Sequence, residues 1–266
     1  MRKSPLFEDI FPRKKPIIAM LHVFEGSQRE QLERALQDLD RLNPFLDGVI
    51  VENYGWGGLD SNLATEEVKK RLAELTKEVV KNSKVPVGVN VLPNDYEKAF
   101  YVASSAGARF IQMDHVTGDF LCCQSVDSKE FLRIKDFYSD IAVFGGIHPK
   151  YYVLKDPLTP IKESALAAEP LTEAVVVTGK YTGGEASLRD IQLVKEAVGG
   201  HKVLVGSGLN VINVKAQLAL ADGAIVGTAF KKQGVLPGEP IDENMLKRFM
   251  AFVEEIRKRE CAAEIN

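Results

Sequence analysis

The feature that most constrains the fold is a strand–helix unit that recurs eight times along the chain. Each unit joins a short β-branched or apolar run to a stretch in which apolar residues recur at helical spacing. Dividing 266 residues by eight gives about 33 residues per unit, enough for one strand and one crossover helix. Strands that alternate with helices predict a parallel sheet, and eight such units predict a single (β/α)8 TIM barrel.

The predicted strands share an apolar, β-branched composition: Pro16–Leu21, Gly48–Glu52, Val85–Val91, Arg109–Met113, Ile141–Phe144, Ala174–Thr178, Lys202–Gly206 and Gly223–Gly227. The alternative, an open doubly wound sheet, usually carries a GxGxxG fingerprint after its first strand, whereas His22-Val-Phe-Glu-Gly stands here. No linker divides the chain. We therefore expect one domain over residues 1–266, with residues 1–15 as an extension and the barrel at about 16–258.

Helix signals follow the strands. Ser27 and Glu30 form a predicted capping box, and Asn94 with Glu97 predicts the start of a later helix. Apolar residues at helical spacing predict the other helices: one from about Thr65 carrying Val68, Leu72, Leu75 and Val79, and others at Ser128–Tyr138, Ile161–Ala168, Leu188–Val198, Val211–Ala221 and Asp242–Lys258.

Composition and charge exclude several classes of protein. A net charge of −3 lacks the basic footprint of a nucleic-acid-binding protein. No uncharged apolar run approaches the ~20 residues of a membrane span, and the first residues lack a signal-peptide core. Of the three cysteines, Cys122 and Cys123 are adjacent, and no CxxC spacing occurs. We expect reduced thiols in a cytoplasmic protein without a transmembrane segment or a nucleic-acid partner.

Five segments in order resemble the BtpA/SgcQ family, over about Ile17 to Val253: Val49–Gly55, Gly88–Asp95, Val177–Gly183, Val205–Gly208 and Ala221–Thr228. The resemblance implies a TIM barrel close to the ribulose-phosphate-binding barrels, in a family whose reaction is unassigned. The chain departs from the family pattern after the first-strand histidine, at Val23–Ser27, in the fourth strand at Ile111–Asp114, and after the fifth strand, at Gly145–Lys150. The loops that face the substrate are therefore expected to differ.

The loops after the last two strands predict a phosphate-binding site formed by Gly206, Ser207, Gly208, Gly227 and Thr228. Glycines allow an anion to approach the backbone closely, and a helix that begins after Gly208 would add a partial positive charge. The hydroxyls of Ser207 and Thr228 would donate hydrogen bonds, and Lys231 or Lys232 would add charge. The alternative is that the glycines serve only tight turns.

Polar residues at the other strand ends give the candidate catalytic set: His22, Glu52, Asn90, Asp114, His148 and Lys180. Strands buried on both faces normally read as apolar runs, so polar residues that close them call for a function. His22, Glu52 and Asn90 belong to consecutive strands and should be neighbours. Asn53 and Thr178 also stand at strand ends; Asn94 or Asp95 is expected to cap a helix, His115 to be exposed, and His201 to lie at the opposite end of the barrel.

Two roles for this set remain open. Glu52 is a candidate general base if burial raises its pKa, with His22 as the acid. Alternatively, His22, Glu52, Asp114 and His148 would bind a divalent metal, although no HxH or HExxH spacing supports one. Lys180 would form a Schiff base only in a desolvated site; anion contact or solvent exposure is the alternative. The loop Tyr54–Gly58, with Trp56, either closes over a ligand or packs on the barrel rim.

Three functions are compatible with these patterns. The first is an enzyme that acts on a small phosphorylated metabolite, a sugar or nucleoside phosphate, by isomerisation, epimerisation or lyase chemistry. The second is a non-catalytic assembly or stability factor for a protein complex, which the family resemblance suggests. The third is an oxidoreductase that binds a flavin phosphate at the same anion site. Homo-oligomerisation is possible in each case.

Overall fold

The computed structural model describes residues 5–56, 63–232 and 238–265, and within them the chain forms a closed barrel of eight parallel strands in sequence order. The strands β1–β8 span Ile17–Val23, Gly48–Asn53, Val87–Asn90, Phe110–Met113, Ala142–Ile147, Ala174–Val177, Lys202–Val205 and Gly223–Val226. Pairing of β1 with both β2 and β8 closes the ring. The predicted (β/α)8 barrel is confirmed, and each strand lies within three residues of its predicted bounds.

The helices α1–α9 span Phe7–Ile10, Gln28–Leu42, Glu66–Asn82, Tyr96–Ala106, Ser128–Phe137, Ile161–Ala168, Leu188–Val198, Val214–Leu220 and Glu243–Ile265. The predicted capping box of α2 is present, because Ser27 Oγ accepts from the Glu30 N–H and the Glu30 carboxylate accepts from the Ser27 N–H at 2.9 Å. Asp95, and not Asn94, caps α4 by accepting from the Lys98 N–H at 3.1 Å. The last helix continues beyond its predicted end at Lys258.

Aromatic side chains fill the amino-terminal end of the barrel. The Phe110 ring occupies the space beside Gly88, where an added Cβ would stand 2.1 Å from it, and it stacks on Phe144 with ring centroids 4.6 Å apart. Phe7 and Phe11, which precede β1, pack against these two rings at 5.5 and 5.6 Å. Hydrocarbon therefore closes this end of the barrel, and any access to its interior is from the carboxyl ends of the strands.

The helices bury one apolar face each against the outside of the sheet. In α3 this face consists of the predicted Val68, Leu72, Leu75 and Val79. His201 lies at the amino-terminal end, as expected, with Nε2 3.1 Å from Thr172 Oγ1 just before β6. None of the helices in the described ranges combines the length and the apolar character that crossing a bilayer would need.

Candidate functional site

The carboxyl ends of the strands surround a cavity of about 160 Å³, to which every strand or the loop after it contributes lining residues. On the side of β1–β4 the wall carries His22, Glu52, Gln112 and Asp114. On the side of β6–β8 it carries mainly glycines and threonines. The cavity therefore lies at the end of the barrel where we expected the site, with one half rich in carboxyl and amide groups and the other rich in glycine and threonine.

Glu52, Asn90, Gln112 and Asp114 form one hydrogen-bonded group, the carboxylate cluster. Asn90 Nδ2 donates to Glu52 Oε2 at 2.6 Å and to Gln112 Oε1 at 2.7 Å, and lies 3.4 Å from Asp114 Oδ1. Glu52 and Asn90 are register partners in the parallel pairing of β2 with β3, which is why their side chains meet. The sequence predicted three of the four; Gln112 was missed, although a glutamine inside the buried strand Phe110–Met113 was a usable signal.

The environment of Glu52 raises the pKa of its carboxyl into the neutral range. Burial disfavours the carboxylate and the negative Asp114 adds to the effect, so the pKa of Glu52 is raised to about 7. The positive Lys150 and the hydrogen bond from Asn90 act in the opposite direction. Glu52 therefore exists in both protonation states near neutral pH, which is what a general acid–base group requires.

His22 lies beside Glu52 as a neutral imidazole. Burial, together with the positive Lys231, Lys150 and Arg34, lowers the pKa of His22 to about 3. Its Nε2 is 3.7 Å from Glu52 Oε1, too far for a hydrogen bond, and with the imidazole neutral the contact is not an ion pair. An imidazolium at His22 is therefore not available as the acid partner of Glu52 at neutral pH, contrary to the expectation from sequence.

Gly206, Gly208 and Gly227 form the opposite wall, the glycine arc. Gly208 has φ +69°, and a Cβ there would stand 2.1 Å from the Gly184 carbonyl oxygen, so only glycine fits. His22 and Thr178 lie beside Gly227 and Gly206, and each has a buried polar atom, Nδ1 and Oγ1 respectively, without a hydrogen-bond partner among the described residues. Unpaired buried polar atoms are rare in folded proteins and indicate a place for a ligand or water.

The structure corrects two details of the predicted phosphate site, the role of the Ser207 hydroxyl and the start of the following helix. The Ser207 hydroxyl accepts from the Gly179 N–H at 2.7 Å and donates to the Gly184 carbonyl at 3.1 Å, so it joins two loops and is not free for a ligand. The following helix starts only at Val214, because the Asn210 side chain accepts from the N–H groups of Ile212 and Asn213 and holds a turn.

The predicted lysines supply the positive charge only in part, because Lys231 lowers the pKa of His22 from a distance and not by contact with the cavity. Lys231 is buried with its Nζ 3.7 Å from Asp38 and does not line the cavity, while Lys232 is exposed. Lys150, on the loop after β5, lines the cavity. It was missed because nothing in the sequence distinguishes it from other loop lysines.

Two predicted catalytic residues do not reach the cavity. His148 turns away, with Nε2 2.9 Å from Ser164 Oγ, and Lys180 is exposed to solvent. A Schiff base at Lys180 is therefore disfavoured, since solvent exposure leaves the ammonium hydrated. Within the described ranges no three His, Cys, Asp or Glu side chains are grouped as metal ligands, so the predicted metal set of His22, Glu52, Asp114 and His148 does not assemble.

The structure gives the placement of two aromatic residues near the rim, His115 and Trp56. His115 is buried and not exposed, because its ring packs on Phe120 and Tyr152 with centroids 4.6 and 5.2 Å away; burial lowers its pKa to about 4. Trp56 packs on the rim and donates from Nε1 to the Val23 carbonyl at 2.8 Å, which favours the rim over the closing-loop interpretation. Residues 57 and 58 of that loop lie outside the described residues.

The cysteines contribute no covalent link. Cys122, Cys123 and Cys261 are all free thiols. Cys123 lies nearest the site, with Sγ 3.4 Å from His115 Nε2.

A closed ring of eight parallel strands, with the candidate site at the carboxyl ends of the strands, defines the class of (β/α)8 TIM barrels. An N-(5'-phosphoribosyl)anthranilate isomerase of Pyrococcus furiosus aligns with a TM-score of 0.57 and 17% identity, covering 91% of this chain and 99% of that one. A tryptophan synthase α-subunit of the same organism has a TM-score of 0.61 at 17% identity, covering 92% and 98%. At this identity the likeness shows the fold.

Residues 13–255 match the model of the BtpA family, and the chain belongs to that family. An uncharacterised Pyrococcus furiosus protein is 32% identical over 85% of this chain and 90% of its own. The photosystem I biogenesis protein BtpA of Synechocystis is 28% identical over 92% and 90%. The putative sgc region protein SgcQ of Escherichia coli is 28% identical over 94% and 98%. The resemblance seen in the sequence is confirmed.

Proposed function

We propose that this protein is an enzyme that transfers protons on a small phosphorylated molecule, in an isomerisation, epimerisation or lyase reaction. One observation carries the proposal. A buried carboxyl whose pKa is about 7, Glu52, lines the same cavity as the glycine arc. A group that titrates near neutrality, beside space for an anion, meets the two requirements of acid–base chemistry on a phosphorylated substrate.

The carboxylate cluster supplies the proton transfer. Glu52 as carboxylate accepts a proton from the substrate and returns it to another atom of the same molecule, so that the enzyme ends in its initial state. Asp114 is the second carboxyl of the cavity, oriented by the Tyr152 hydroxyl, which donates to Oδ2 at 3.0 Å. The neutral His22 is a hydrogen-bond donor for an oxygen that becomes negative during the reaction.

The glycine arc and Lys150 receive the phosphate. Gly206, Gly208 and Gly227 line the wall of the cavity together with Thr228 and Gly183, and an anion can approach a glycine-rich backbone closely. Lys150 contributes a positive charge that reaches the site, since it lowers the pKa of both Glu52 and His22. The isomerase of similar fold acts on a phosphoribosyl compound, which supports the same kind of substrate here.

Exchange of Lys150 for glutamine tests the anion site. We expect wild-type protein to bind inorganic phosphate and ribose 5-phosphate in calorimetry, and Lys150→Gln to bind them about tenfold more weakly, the scale of one charge-assisted contact. Lys180→Gln is the matched control, because Lys180 is exposed and does not line the cavity. Absence of binding to wild type, or equal weakening by both substitutions, would contradict the proposal.

A second function has one observation in its favour. Large apolar side chains are exposed around the same end of the barrel: Leu121, Tyr151, Val153, Leu158, Tyr181 and Ile212. The Synechocystis relative is named for photosystem I biogenesis, and an assembly factor would use such a surface for a protein partner. In cells that depend on this protein, an assembly role requires Glu52→Gln to be tolerated and Leu158→Ser with Ile212→Ser to be harmful; an enzymatic role requires the reverse.

A further inference from the structure

We propose that the substrate carries a flat aromatic group next to its phosphorylated part, as in a nucleoside monophosphate or an aryl ribotide. This inference rests on the proposed function and narrows its substrate class. It comes from three tyrosines at the mouth of the cavity, Tyr54, Tyr151 and Tyr152, here called the tyrosine collar. They belong to the loops after β2 and β5.

Two hydroxyls of the collar are engaged with the protein itself. Tyr151 Oη accepts from the Thr182 N–H at 2.9 Å and donates to Thr182 Oγ1 at 3.0 Å. Tyr152 Oη donates to Asp114 Oδ2 at 3.0 Å. Since these polar ends contact the protein, Tyr151 and Tyr152 offer a ligand mainly the surfaces of their rings.

The rings are also held in place by aromatic neighbours. The rings of His22 and Tyr54 pack edge to face, with their centroids 4.9 Å apart and an interplanar angle of 74°. Tyr152 packs on Phe120 at 5.5 Å, and on His115. Side chains that are ordered before binding lose little conformational freedom when a ligand arrives, so ring surface held this way favours affinity.

Tyr151 has the least ordinary conformation of the three. Its backbone has φ +70°, which a non-glycine residue rarely adopts, and 68% of the residue is exposed. An exposed tyrosine has no burial to compensate for such a backbone; the two hydrogen bonds to Thr182 hold it over the cavity. The chain thus maintains an aromatic ring at the mouth at an energetic cost, which indicates a binding function for that ring.

The distribution of polar groups separates this substrate from a plain sugar phosphate. Leu92 and Pro149 also line the cavity and offer no side-chain hydrogen bonds. Glu52, Asn90 and Gln112 of the carboxylate cluster belong to the strands, whereas the collar belongs to the loops that follow them. A ligand matched to these walls has a phosphate at the arc, polar reacting atoms at Glu52, and an apolar planar group at the mouth, where stacking on tyrosine stabilises it.

Calorimetry with two sets of phosphorylated probes at pH 7 tests the inference on the full chain. The aromatic set is the four common nucleoside 5'-monophosphates and phenyl phosphate; the plain set is ribose 5-phosphate and inorganic phosphate. We expect at least one aromatic probe to bind about tenfold or more tightly than ribose 5-phosphate, as one stacked ring allows. If ribose 5-phosphate binds and no aromatic probe binds more tightly, the aromatic inference is overturned while the anion site stands. If neither set binds, the proposed function fails as well.

A matched pair of tyrosines identifies the ring responsible. In Tyr151→Ser, the affinity for the best aromatic probe should fall to within about threefold of the affinity for ribose 5-phosphate. Tyr181→Ser should leave the preference unchanged, because Tyr181 is 62% exposed, close to the value of Tyr151, but does not line the cavity. Tyr54→Leu provides a second loss of ring surface, and circular dichroism checks that each variant is folded. An unchanged preference in both folded Tyr151→Ser and folded Tyr54→Leu would refute the role of the collar.

Discussion

Glu52→Gln is expected to make the protein more stable above pH 7 and to slow the proposed proton transfer. In the unfolded chain the carboxyl loses its proton near its ordinary pKa of 4.5, whereas in the folded barrel it keeps the proton up to about pH 7. The folded state therefore binds more protons between these values, and stability falls as the pH rises through this window. At pH 8 the raised pKa lowers the free energy of unfolding by about 3 kcal/mol, and the uncharged glutamine would not suffer this loss.

The comparison with wild type at two pH values isolates this effect. Near pH 4 the carboxyl is protonated in both states, so Glu52→Gln and wild type should unfold with similar free energies. His22 has the opposite effect, because its pKa in the folded state is lowered to about 3. Its contribution to the free energy of unfolding is present above pH 6.5 and is lost as the pH falls. This contribution is common to both proteins and cancels in the difference between them.

Urea unfolding followed by the fluorescence of Trp56, the single tryptophan, provides the measurement. Glu25→Gln serves as control, because Glu25 is exposed on the loop after β1 and its substitution should change stability little at either pH. Once a substrate is known, the turnover of Glu52→Gln should fall by about 10²–10⁴-fold, the range for loss of a general acid–base group. Equal stability differences at pH 4 and pH 8 would show that Glu52 does not carry the raised pKa.

Gly208→Ala is expected to destabilise the barrel by about 3 kcal/mol and to remove anion binding. Two costs add at this position. The backbone at φ +69° is unfavourable for any side chain, and the new Cβ would stand 2.1 Å from the Gly184 carbonyl, so the loops after β6 and β7 must separate. Since both loops line the cavity, their movement displaces the wall that we propose as the phosphate site.

Gly107→Ala separates the two costs. Gly107, at the end of α4, also has a positive φ, +79° with ψ 23°, but the nearest atom to an added Cβ is Val80 Cγ1 at 3.8 Å, so only the backbone term of about 1 kcal/mol applies. We expect this variant to bind phosphate like wild type. Thermal or urea unfolding of both variants, with calorimetry on phosphate, gives the comparison; a Gly208→Ala protein as stable as Gly107→Ala would show that the close approach to Gly184 is not a constraint.

The parts of the site that sequence reasoning found are those defined by strand register. His22, Glu52 and Asn90 stand at corresponding positions of consecutive parallel strands, so their proximity follows from the order of the strands. Lys150, Tyr151 and Tyr152 were missed because they lie on a loop, where no periodicity relates a residue to the cavity. His148 and Lys180 were misplaced for the same reason, since the direction of a loop side chain depends on contacts with other loops.

The hydrophobic pattern by itself determined that this chain forms a (β/α)8 barrel, because burial of alternating strands and helices admits few arrangements. The tertiary structure alone decided the chemistry of the site. The protonation of Glu52 and His22 depends on burial and on charges from other strands and loops, and the use of the Ser207 hydroxyl depends on a carbonyl of a neighbouring loop. Such quantities arise from distances between residues far apart in the chain, which a linear pattern does not contain.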